Sequence, residues 1–172
     1  MSTGLKDRFT VNDVFDVTTV RSLIDSFCDA VGIAAAIIDL KGAVIIGSRW
    51  QKLCTDFYRV HPETFRGCIE SDTILANTLQ AGKNYALYTC ANGLADAAAP
   101  IIIEGNHIAN FFVGQFFLAP PDEDAFKQKA AALGFDMDGY GEALSRVPVV
   151  PPERIPGILG FLTGFAELLG SL

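Results

Sequence analysis

Cys54, Cys68 and Cys90 lie mid-chain in a protein of 172 residues, and the first two bracket Asp56-Phe-Tyr-Arg-Val-His-Pro-Glu63, a stretch with aromatic, basic and histidine side chains. Three kinds of chemistry are open to such thiols. They can ligate a metal, attack a substrate, or line a pocket that holds a molecule.

A metal site built on Cys54, Cys68 and Cys90 would take zinc or a thiolate-bound iron, with a fourth ligand from His61, His107, Asp56 or Cys28. The spacing gives no support of its own, because 13 and 21 residues separate the three sulfurs and none forms a C-x-x-C knuckle. Cysteines also pack as small apolar side chains. A catalytic cysteine needs a base and a setting that stabilises thiolate. His61 stands seven residues from both Cys54 and Cys68, but Pro62 interrupts the helical continuity that would bring them together, so His61 is expected to cap or brace a helix start. No Ser-His-Asp order, P-loop or dinucleotide fingerprint is present. A non-enzyme is expected.

The pocket reading draws on more residues. Tyr85, Tyr88, Cys90, Asn92, Asp96, Gln115 and Phe117 fall on or between three apolar runs. Alternation along a strand puts Phe111, Val113, Gln115 and Phe117 on one face. Gln115 is then a polar side chain in an apolar row, where an unpaired amide would cost about 1–3 kcal/mol. Asn92-Gly93 suits a turn, and Tyr85 and Tyr88 point to opposite faces. An apolar cup with a few converging polar groups is the usual form of a small-molecule site.

The elements that position these residues can be read from periodicity. Val17, Val20, Leu23, Ile24, Phe27 and Val31 have helical spacing, with Gly32 as a stop. Ile33–Asp39 and Ala43–Gly47 read as a hairpin around Leu40-Lys41-Gly42. Leu53 to Gln80 is helical, punctuated by His61-Pro62. Three strands follow, Tyr85–Cys90, Ala95–Ile103 and His107–Ala119, the last two joined at Glu104-Gly105-Asn106. Asp122–Leu133 and Met137–Ser145 are helices, Val147–Pro152 is extended, and Ile155–Leu169 is an apolar helix with Gly157, Gly160 and Gly164 along it. The expected fold is α+β: a PAS-like five-stranded antiparallel sheet with a helical insert, helices on one face, and flanking N- and C-terminal helices. Residues 1–16 are expected to form an N-terminal extension and 17–172 the domain.

Half of the residues are hydrophobic and only 19% are charged, as in a compact domain. The net charge of −7, with Lys and Arg scattered singly, disfavours nucleic acid and anionic membrane as direct partners. Without an apolar leader or spanning run, a cytoplasmic location is expected.

The blocks LCTDFYRVHPETFRGCIESD, YTCANGLADAAAPIIIEGNHIANFFVGQFF and GFDMDGYGEALSRVPVV together resemble the PocR sensory domain family. The resemblance runs from about Val17 to the end. It implies a PAS variant that serves as the input domain of bacterial transcription regulators and two-component sensor kinases. The implied ligands are small hydrocarbon derivatives such as a short alcohol, diol or acid; propanediol is the signal of the regulator that names the family. The implied partners are an output kinase or DNA-binding module, in cis or in trans, and a second copy through the terminal helices.

Cys54, Cys68 and Cys90 occupy the family's recurrent cysteine positions, and Asp56, Phe57, Arg59, His61, Pro62 and Glu63 match its core motif. Two departures stand out: Tyr58 where histidine is usual, and Ala109 where glycine is frequent. The resulting ligand-site candidates are Cys54, Phe57, Tyr58, Cys68, Tyr88, Cys90, Asp96, Gln115 and Phe117. A metal or redox sensor built on Cys54, Cys68 and Cys90, with zinc or iron as cofactor, is the alternative.

Overall fold

The structure is a computed structural model that describes residues 10–172. A short helix α1 (Val11–Val14) leads into α2 (Val17–Val31). Asp16 starts α2 by accepting from Thr18 N, and Gly32 ends it at φ 80°, with its N–H bonded to Cys28 O. That left-handed closure is cheap only for glycine. Of the expected N-terminal extension, residues 1–9 lie outside the described residues; in the remainder, Val11 and Phe15 are buried in the main core.

Strands β1 (Ala34–Asp39), β2 (Val44–Ser48), β3 (Ala86–Thr89), β4 (Ala95–Ile103) and β5 (Asn106–Phe116) form an antiparallel sheet in the order β2-β1-β5-β4-β3. Between β2 and β3 lies the insert, a π-helical turn (Leu53–Tyr58) followed by α3 (Pro62–Gln80). After β5 come α4 (Glu123–Ala132), α5 (Met137–Arg146), a 3-10 turn (Pro152–Arg154) and α6 (Ile155–Ser171).

Helices cover both faces of the sheet, which corrects the expectation of a single covered face. On one side, α2 and α6 pack Ile24, Cys28, Leu162 and Ala166 against Ala35, Ile37, Ala97, Ala99, Phe111 and Val113. Phe27 and Phe161 stack there with centroids 4.1 Å apart, joining the two terminal helices. On the other side, Leu75 and Leu79 of α3 meet Ala86, Ala98 and Phe112. The alanine run of β4 explains the double cover. Small side chains on both faces of a central strand let helix backbones approach from either side.

The expected alternation along β5 fails at its end. The pairing of β4 with β5 shifts between Ala95↔Phe116 and Asp96↔Gly114, and Gln115 sits at φ 60°. This bulge inserts one residue. Phe111 and Val113 therefore face α6 and α2, whereas Gln115 and Phe117 turn to the insert side. The strand stops at Phe116 instead of running on to Ala119. Phe117 N donates to Pro148 O (2.8 Å), and Val150 N donates to Phe117 O (2.8 Å), so the extended segment before α6 takes over the pairing.

Candidate functional site

The insert is held off the sheet by local geometry. The π turn is closed by Arg59 N donating to Cys54 O at 2.9 Å, and its wide pitch buries Leu53, Cys54 and Tyr58 together. Thr64 Oγ1 donates to Tyr58 O (2.7 Å), which ties the π turn to α3. His61 is the N-cap of α3, accepting from Glu63 N at 3.2 Å, with its ring edge-on to Phe135. It is a structural cap, as its place before Pro62 suggested.

Between insert and sheet lies a cavity of about 60 Å³. At about 15 Å³ per water-sized group it has room for about four such groups. Cys54, Cys68 and Cys90 all line it, together with Tyr58, Asp96 and Gln115. Asn92, which the pocket reading also drew on, faces it too, while Trp50, Arg59, Ser71, Asp72 and Leu75 were not among the expected site residues but also line it, as do Ile38, Leu94 and Phe112. Trp50 is the only tryptophan of the chain. Its position was legible only through Gly47, since a Cβ there would strike the indole.

Three of the proposed site residues lie elsewhere. Phe57 packs edge-on to Phe135 and Tyr140, both with centroids 5.4 Å away, and borders a separate surface cleft. The π turn, with its longer hydrogen-bond step, directs Phe57 to the α5 side. Phe117 packs against Phe126. Tyr88 shares the apolar cluster of Leu75, Leu79 and Phe112, and its hydroxyl has no hydrogen-bond partner among the described residues. The other suggested ligands are also placed away from the cavity: Cys28 is buried on the opposite face, and His107 pairs with Asn110 at 2.6 Å. Among the described residues, no three His, Cys, Asp or Glu side chains form a group that could hold a metal ion. The three sulfurs thus share a wall without converging on one point.

The polar side chains of the wall are mostly engaged with one another. Gln115 Oε1 accepts from Gln51 N at 2.5 Å, and Gln115 N donates to Asp96 Oδ1 at 3.1 Å. The amide expected to need a partner therefore has one. Asn92 is a hub: its Nδ2 donates to Thr64 O and Cys68 Sγ, both at 3.3 Å, and its Oδ1 accepts from Lys129 Nζ at 3.2 Å. Arg59 and Asp72 form an ion pair at 3.2 Å. Asp96 is enclosed by protein yet lines the cavity, and burial pushes its carboxyl up to about 7, with the Gln115 N–H opposing. Burial also raises Cys54, Cys68 and Cys90, so all three are neutral thiols at pH 7. That setting is the opposite of an activated thiolate.

Tyr58 is fully buried, and its hydroxyl lies 2.7 Å from that of Tyr140. Tyr140→Phe is expected to cost about 1–3 kcal/mol by leaving the Tyr58 hydroxyl unpaired. Urea unfolding of the variant checks this, and an unchanged midpoint would contradict it.

A family described as the sensory domain found in PocR matches residues 13–172. The chain belongs to this family. The matched segment contains every residue of the cavity wall. Where the resemblance puts histidine, this PocR domain has Tyr58, satisfied internally by Tyr140. No curated protein matches the chain. Among the described residues, no helix is long and apolar enough to cross a membrane.

Proposed function

We propose that this PocR domain is the cytoplasmic input domain of a bacterial signal-transduction or transcription-regulatory system, and that it binds a small hydrocarbon derivative in the cavity between sheet and insert. The observation that carries the reading is the convergence of Cys54, Cys68, Cys90, Asp96 and Gln115 on one small cavity. Its walls are largely apolar, with a carboxyl, an amide and an ion pair to orient an occupant. Its volume suits a compound of about four non-hydrogen atoms, the size of a short alcohol, diol or acid.

Occupancy would bias two packings of the insert and so shift their populations. Three contacts support a route outward from the cavity wall at Trp50. Ser48 Oγ donates to Asp25 of α2 at 2.6 Å, Arg49 pairs with Asp29 of α2 at 2.6 Å, and the Phe27–Phe161 stack continues to α6. An output kinase or DNA-binding module would read the terminal helices.

Thermal denaturation against short alcohols, diols and acids tests this reading. A ligand at a hundred times its Kd adds about 2.7 kcal/mol, or roughly 5–10 °C for a protein of this size. No shift with any compound, or stoichiometric metal in native mass spectra of the purified protein, would overturn it.

A further inference from the structure

We infer that the cavity captures a small aldehyde covalently and reversibly, as a hemithioacetal on Cys90, with Asp96 relaying the proton. The inference rests on the cavity being the ligand site. It goes beyond that reading by naming the reactive class of ligand and the atom that bonds to it.

Three observations carry it. First, the three thiols and the carboxyls of Asp72 and Asp96 line the same cavity. The cavity is small, so a molecule that fills it lies against several of these side chains at once. Second, Cys90 is the most accessible of the three. Cys54 and Cys68 are buried, whereas Cys90 keeps intermediate exposure. Burial raises its thiol, the Leu94, Asn92 and Gly93 backbone opposes that rise, and among charged groups Asp96 acts on it most strongly. The Cys68 sulfur, by contrast, already accepts from Asn92. Third, among the described residues only one oxygen of Asp96 is in a protein hydrogen bond, that from Gln115 N to Oδ1.

This wall suits one thiol reaction above others. A neutral thiol is a weaker nucleophile than thiolate, so reaction here needs a neighbouring acid–base group to move the S–H proton, and Asp96 lines the same cavity. Addition to an aldehyde starts neutral and ends neutral, and needs no oxidant or co-reactant. The Cys90 sulfur lone pair forms a C–S bond to the carbonyl carbon, and the carbonyl π pair moves to oxygen. That oxygen takes the proton of the Asp96 carboxyl, and the S–H proton passes to the carboxylate so formed. The carboxyl is regenerated, and the product is a thioether carbon bearing a hydroxyl. Reversal releases the aldehyde, as a sensor requires. Binding beside the thiol supplies an effective concentration that a thiol in solution lacks.

The test uses 1-13C-labelled propanal and, separately, 1-propanol, each with four non-hydrogen atoms. Carbon NMR of the intact protein reads the labelled carbon, and thermal denaturation reads binding of the alcohol. The expected result is one tetrahedral hemithioacetal resonance, kept in Cys28→Ser on the opposite face and lost in both Cys90→Ser and Cys90→Ala, each first shown to be folded by its amide spectrum. Asp96→Asn should keep the resonance but slow its exchange with free aldehyde by about a hundredfold, the lower end for acid–base assistance. A resonance that survives in folded Cys90 variants, or exchange unaltered in Asp96→Asn, would overturn the inference. If 1-propanol stabilises the protein while propanal forms no adduct, covalent capture is wrong and the ligand-cavity reading stands. If neither compound acts, both fall for ligands of this size.

Discussion

Asp96→Asn is expected to stabilise the protein, and to do so more at pH 8 than at pH 5. Burial raises the Asp96 carboxyl from its ordinary 3.8 to about 7 in the folded state. Between those values the folded protein holds a proton that the unfolded chain has lost, so wild-type stability falls as pH rises. Above pH 7 the penalty is fully present, and 3.2 units at 1.36 kcal/mol each make it on the order of 4 kcal/mol. Between pH 5 and pH 7 the loss is on the order of 2 kcal/mol, and an amide does not share it. Asp72 and Arg59, which also line the cavity, act on the carboxyl in opposite senses, and Cys54 and Cys90 stay protonated. Asparagine keeps the oxygen that accepts from Gln115 N.

The melting temperature of the variant should therefore exceed that of wild type at pH 8 by roughly 10 °C, at about 2–4 °C per kcal/mol, with a much smaller margin at pH 5. Equal margins at the two pH values would show that Asp96 titrates in the normal carboxylate range. A folded state that tolerates such a cost retains the carboxyl for something other than stability, and cavity-facing groups with shifted pKa values cluster at functional sites.

Gly114→Ala is expected to be the most damaging single-methyl change in the site. A Cβ at this position would fall 2.9 Å from Asp96 Cα and against its carboxylate. The carboxylate is the end of a side chain and can swing away, but the β4 backbone is locked by pairing with β5. Overpacking of this kind costs about 1–3 kcal/mol, more where backbone must move, and it also breaks the bond from Gln115 N to Asp96. Chemical denaturation should show a loss of about 3 kcal/mol, and any thermal response to ligand should vanish. A variant as stable as wild type, with its ligand response intact, would mean that the bulge at Gln115 does not hold the cavity open.

Sequence reading reached the elements more readily than the site. Helix α2 was legible to the residue because its apolar spacing meets a glycine at Gly32. Strand β4 was legible because turn residues flank it on both sides. The gathering of Cys54, Cys68 and Cys90 around one space was also legible, through the family resemblance that places them in a shared block. The bulge was not. A left-handed Gln115 leaves no compositional mark, since glutamine has no special preference for φ > 0, yet that one residue decides which side chains of β5 face the insert. Phe57 was misplaced for a related reason: a π turn and an α turn have the same sequence pattern but present different side chains inward. Arg59, Asp72 and Trp50 were not counted as site residues because amphipathic charges and a lone indole look like surface until the packing faces are known. Gly47 and Gly114 were the available signals for tight approach, and each marks a cavity-wall residue, Trp50 and Asp96 respectively.

The central claim is that the space bounded by Trp50, Cys90, Asp96 and Gln115 is where the ligand binds. The single tryptophan makes this directly observable, because the chain gives one indole N–H resonance, and it comes from the cavity wall. A 15N-edited titration with any compound that stabilises the protein should move the Trp50 indole peak together with the amides of Cys90, Leu94, Asp96 and Gln115, and all should saturate at one Kd. A stabilising compound that leaves those five signals in place, and instead shifts amides around Lys83, His107 and Gly170 in the groove beside the C-terminal end of α6, would contradict the account.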